Sequence, residues 1–145
     1  MGLFTGRPPD SIGMTGGRLA PCKSTPNCVG SQADRATDPG HHVDPIRFKG
    51  SAEAAWKALR QIVRGSERAT IVREEDGYLY ATFSSKLMGF VDDAEFLLDS
   101  RGGVIHVRSA ARLGYSDLGV NRKRVEAIRA RLAAAGAYAL VRTAL

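Results

Sequence analysis

No stretch of about 18 consecutive apolar residues occurs in this chain, so nothing in it reads as a helix able to cross a bilayer. Met1 to Gly6 lack the charged-then-apolar order of a secretory signal, and the expectation is a cytoplasmic protein. The same residues miss a myristoylation signal, because Gly6 stands where Ser or Thr is required. Nucleotide and serine-hydrolase signatures are missing as well. The glycines between Gly13 and Gly17 are not followed by Gly-Lys-Ser/Thr, and no strand precedes them. No Gly-x-Ser-x-Gly elbow exposes a nucleophile, and His106 and Ser109 fall on opposite faces of one strand, which excludes a triad. There are two cysteines and three histidines, and their spacing matches no zinc motif.

What is present is an ordinary globular composition, 43% apolar and 25% charged over 145 residues, which suits one domain. The formal charge is +6 with a pI near 9.7, a balance that favours acidic partners. Much of the excess sits on Arg122, Lys123, Arg124, Arg129 and Arg131, whereas acids gather at Glu74 to Asp76 and Asp92 to Glu95. No aromatics interleave that basic stretch, so base stacking is not expected, nucleic acid is disfavoured, and the stretch reads first as a solvated helix face.

Residues 1–44 form a Gly/Pro-rich segment without helical or strand period, read as an extended arm or wrapped loop that carries both cysteines. Residues 45–135 carry the periodic patterns of a core domain, and 136–145 are a small, apolar tail that could extend a helix, pair as a strand or fray. Ser51 is a suitable N-cap, Glu53 complements the helix dipole, and Trp56, Leu59 and Val63 stripe a helix over 52–64 that Gly65 ends. Strand patterns follow at 69–74, 78–84, 91–98 and 104–111, with turns at Asp76-Gly77, Met88-Gly89 and Arg101-Gly102-Gly103.

Alternation puts Leu79, Ala81 and Phe83 on one face, joined by Ala94, Phe96 and Leu98 and by Ile105 and Val107. This register pairs Leu98 with Ile105 and sets Glu95 opposite Arg108 on the other face. A weaker strand over 42–48 suits only an edge, because of Pro45. Ser116 or Asp117 then caps a helix over 118–134 striped by Val125, Ile128 and Leu132. The fold class is α+β: a two-layer sandwich with a four- to five-stranded antiparallel meander and two helices on one face.

Several constellations could carry chemistry. Cys22 and Cys28 flank a turn-rich loop, which permits a disulfide, a redox pair or inert thiols. With His41 and His42 they could ligate a metal, although adjacent histidines diverge and read more simply as exposed loop residues. Asp93 and Glu95 share a sheet face while Asp92 takes the other, where it needs a partner such as Arg108, Arg112 or Asn121. Asp92, Arg108, Arg112, Tyr115, Asp117, Asn121 and Arg122 crowd one end of the sheet beside the cysteine loop.

That crowding points to a non-enzymatic binding or interaction domain without a cofactor, its partner an unknown small molecule or an acidic protein. The alternatives are a small enzyme, either a thiol-dependent catalyst or a carboxylate-based hydrolase, and a metal-binding protein using Cys22 and Cys28.

Three blocks carry a resemblance: Pro21 to Gln32, Phe90-Val91-Asp92-Asp93, and Gly114 to Arg124. Together they resemble the bacterial and plastid family known as domain of unknown function 1499, over about Gly13 to Leu132. Lys23 and Gly30 depart from its usual Pro and Ser. The resemblance implies no established activity; many relatives are exported or lipid-anchored.

Overall fold

The computed structural model describes residues 5–144, with side chains described through residue 136. The elements, in chain order, are β1 (Met14–Thr15), β2 (Arg18–Leu19), β3 (Cys28–Gly30), β4 (Ile46–Arg47), α1 (Ala52–Arg64), β5 (Ala69–Glu75), β6 (Tyr78–Ser84), β7 (Val91–Asp99), β8 (Val104–Ala111) and α2 (Val120–Ala144). β5 to β8 form an antiparallel meander, and β3 and β4 both pair with β8 at its far edge. β1 and β2 make a separate two-stranded hairpin.

The helix start follows from its cap: Ser51 is extended, and its hydroxyl accepts the Ala54 N–H. At the other end the Gly65 N–H closes on the Gln61 carbonyl. In the Asp76-Gly77 hairpin, Gly77 has a φ of 74°, a left-handed conformation that glycine adopts without a Cβ penalty.

Strand register is as alternation requires. Leu98 pairs with Ile105, Phe96 with Val107 and Glu95 with Arg108. The apolar set therefore lies on one face, where Phe83, Phe96 and Val107 join Trp56, Leu59 and Val63 of α1 and Val125, Ile128 and Leu132 of α2 in one buried core. The result is an α+β sandwich with both helices on one face of the sheet.

Two elements differ from expectation in extent. The strand expected over 42–48 shrinks to Ile46–Arg47, since Pro45 has no N–H to donate to a ladder. β3 joins the sheet from inside the arm, where a three-residue strand leaves no period to read. The tail residues 136–144 continue α2 as helix.

The arm wraps the sheet face opposite the helices. Leu19 and Ile12 pack on Tyr78, Tyr80 and Leu97 there, forming a second, smaller cluster.

Candidate functional site: a polar sheet face and the cleft beside the disulfide loop

Alternation sends Tyr78, Tyr80, Asp93, Glu95, Arg108 and Arg112 to the arm side. Glu95 is fully buried, and its Oε2 accepts the Tyr78 hydroxyl at 2.5 Å and the Gly13 N–H at 2.8 Å. Its Oε1 lies 3.7 Å from Nη1 of Arg108. The ion pair between strands is therefore enclosed rather than exposed, so its energy is a balance of desolvation against attraction.

Two residues along, Asp93 accepts Nε of Arg112 at 2.9 Å and Nη2 at 3.0 Å, a two-point contact, together with the Tyr80 hydroxyl. Burial, reinforced by the carboxylates that accept their protons, pushes the Tyr80 phenol up to about 12 and Tyr78 higher still. Both phenols are thus fixed as donors. The bond to Asp93 raises the Arg112 guanidinium further. Arg112 also reaches the Gly6 carbonyl, and Arg108 the Pro21 carbonyl, each at 3.5 Å.

On the helix side, Asp92 pairs with Arg124 at 2.8 Å, and the Arg124 guanidinium stacks 4.5 Å over the Phe83 ring. Asn121, fully buried, accepts from Arg124 and from Ser109 Oγ, and donates to Asp117 at 2.8 Å. Burial of Asp117 works against its charge. The hydrogen bonds from Asn121 and Gly119 outweigh that effect and hold its carboxyl below the usual value. This network docks the 114–124 turn on the strand ends.

The seven residues expected to crowd one surface are thus divided by the sheet. Asp92, Asp117 and Asn121 lie on the helix side and Arg108 and Arg112 on the arm side, while Tyr115 projects from the turn. Arg122 donates to the His42 and Gly40 carbonyls. The partner of Asp92 is Arg124, which the expectation did not include. The basic helix face is not simply solvated either: Arg129 donates to the Pro45 and Asp44 carbonyls, so with Arg122 it clamps the end of the arm.

Cys22 and Cys28 form a disulfide, with their Cα atoms 5.7 Å apart. Asn27 ties this loop to the Gly114 carbonyl at 2.8 Å, which sets the cysteine loop beside the turn. Joined in this way, the two sulfurs offer no thiolate.

His41 and His42 are partly buried rather than exposed. His41 meets the Thr25 carbonyl and Asp38; His42 meets the Ala33 carbonyl and Asp44. Both rings fasten loop to loop. Among the described residues no group of three or more His, Cys, Asp or Glu converges as a metal site.

Between the disulfide loop and β8 lies an open cleft of about 450 Å³, lined by Arg18, Pro21, Cys22, Gln32, Asp34 and Arg108 among others. Arg108 is only 5% exposed, and among the described residues neither its Nε nor its Nη1 has a hydrogen-bond partner. Reasoning from the sequence placed Arg108 in the site but missed Arg18, Gln32 and Asp34. Lying in an aperiodic segment, these carry no signal of where they end up.

The fold and this site define a small α+β domain whose sheet is covered by helices on one side and by a disulfide-closed arm on the other. The chain belongs to the family described as protein of unknown function (DUF1499), which it matches over residues 18–132. No curated protein and no solved structure matches it. Among the described residues no helix is long and apolar enough to cross a membrane.

Proposed function

We propose that this is a binding domain that holds a small anionic molecule in the cleft beside the disulfide loop without transforming it. The observation that carries the reading is Arg108, a guanidinium nearly withdrawn from water beside the cleft, whose Nε and Nη1 make no hydrogen bond among the described residues, Nη1 facing Glu95 at 3.7 Å. Guanidinium carries five N–H donors in a planar fork, and leaving such donors unmade in the interior is costly. A carboxylate or phosphate oxygen accepts from such a donor.

Arg18 stands at the rim, positioned by its bond to the Gln32 carbonyl at 3.2 Å. Oδ1 of the lining Asp34 is engaged by the Ala36 and Thr37 N–H groups. The absence of turnover is favoured because Asp93 is held by Tyr80 and Arg112, Glu95 is enclosed under the arm against Tyr78 and Arg108, and the sulfurs are joined.

The test is mass spectrometry of what co-purifies with the chain, followed by calorimetry with small carboxylates and phosphates. Arg18→Ala is expected to weaken binding severalfold without changing the melting temperature, and Arg108→Lys to weaken it more by losing guanidinium donors. Equal affinity in both variants, or no binding by the wild type, contradicts the reading. Conversion of the bound anion to product favours the hydrolase alternative instead.

A further inference from the structure

Away from the cleft, apolar side chains collect where a folded domain gains nothing from them. Leu87 is 90% exposed at the tip of the β6–β7 connection, flanked by Met88 and Phe90, which are also exposed. Leu118 is 85% and Tyr115 70% exposed in the β8–α2 connection, with Leu113 exposed beside them. The two loops leave the same end of the sheet, since Asp92 pairs with Ala111 and the Arg112 N–H donates to the Val91 carbonyl.

Leu118 carries a second oddity. Its φ of 55° lies in the left-handed region that a leucine rarely occupies, although Gly119 is its neighbour. Its side chain is exposed on a backbone conformation that costs energy to hold, and residues kept in that state cluster at functional sites.

Cations ring this end. Lys86 lies in the first loop next to Leu87, and Arg68 is attached by its Nε to the Ser84 carbonyl at 3.1 Å. Gly6 packs against Leu113, bringing the exposed Arg7 alongside. The acids beside them are engaged within the domain: Glu67 pairs with Arg68, and Asp117, next to Leu118, accepts from the Gly119 N–H and from Asn121.

We infer that this end of the domain docks peripherally on an anionic lipid surface, with the two loop tips entering the headgroup boundary and Lys86, Arg68 and Arg7 meeting lipid phosphates. Apolar tips within a basic collar match both forces that hold a protein to such a surface, burial of apolar area and attraction to negative headgroups. A tyrosine at the rim suits the interface, where one end of the ring is dry and the other wet. The chain's formal charge of +6 acts in the same direction. This inference uses none of the cleft residues and stands or falls apart from the ligand proposed there.

The experiment is co-sedimentation of the full chain with phosphatidylcholine vesicles, with and without phosphatidylglycerol. Binding is expected to the anionic vesicles, to fall as salt is raised, and to drop about tenfold or more in Leu87→Ser/Leu118→Ser. Val72→Ser, which changes an exposed apolar residue on β5, serves as the control and is expected to leave binding unchanged. The inference is overturned by failure of the wild type to bind anionic vesicles, or by undiminished binding of the double variant. It is equally overturned if sedimentation equilibrium shows a wild-type oligomer that the double variant loses, which assigns the tips to contact between copies.

Discussion

Under the helices the central strands present Leu79, Ala81, Phe83, Ala94, Phe96, Ile105 and Val107; under the arm, the same strands present Tyr78, Tyr80, Asp93, Glu95 and Arg108. The two coverings explain the difference. A helix satisfies its own backbone and brings an apolar stripe, so the sheet beneath it can be hydrocarbon. An aperiodic arm leaves backbone N–H and C=O groups without internal partners, and these must be met by whatever it covers. Glu95 meets the Gly13 N–H, Arg112 the Gly6 carbonyl and Arg108 the Pro21 carbonyl. The polar face is thus first of all the means by which an irregular segment is held against a sheet.

The largest effect expected lies on the apolar side. Phe96→Ala should lower unfolding stability by about 3–5 kcal/mol, read from the denaturant midpoint, because the ring is buried at the centre of the core. A loss of under about 1 kcal/mol would show that the helices do not anchor the sheet.

Next comes the arm side. Glu95→Gln leaves Arg108 buried without its counter-charge and should cost about 3 kcal/mol. An equal cost in a chain lacking the arm would break the link between this carboxylate and the arm.

The disulfide closes a short loop, so Cys22→Ser should cost about 2 kcal/mol on the chain-entropy account. A reductant should lower the wild-type melting temperature similarly and leave the variant unmoved.

The smallest effect is that of pH. His41 has oxygen acceptors at both ring nitrogens, the Thr25 carbonyl first and then Asp38, and these raise its pKa above the ordinary 6.5 despite partial burial. With the folded value above the unfolded one, its contribution is complete below pH 6.5 and is lost as pH rises through the folded value. His41→Gln should flatten that part of the curve of stability against pH, and an unchanged slope would assign it elsewhere.

The helix face was legible because burial there is periodic. Alternation in three strands sufficed to pair Leu98 with Ile105 and to seat Phe96 under Trp56. It also divided Asp92 from Asp93 and Glu95 correctly. The tyrosine–carboxylate contacts had a signal that went unread: Tyr78 opposes Leu97 and Tyr80 opposes Glu95, so each phenol reaches the carboxylate two residues along on the neighbouring strand.

The arm side was not legible. Its contacts join residues some 80 apart in sequence, as with Gly13 and Glu95, and no local pattern in a Gly/Pro-rich segment announces such a partner. For the same reason His41 and His42 read as exposed when each fastens two loops together. Arg122 and Arg129 likewise looked free, because the carbonyls they clamp belong to residues with no period of their own.

The central claim, that the polar sheet face holds the arm's backbone, with Glu95 meeting it directly, is tested most directly by amide hydrogen exchange at Gly13. Protection is expected in the wild type and its loss in Glu95→Leu, which removes the acceptor oxygen, while the core amides of β7 and β8 stay protected. Rapid exchange at Gly13 in the wild type, or equal protection in the variant, would contradict it.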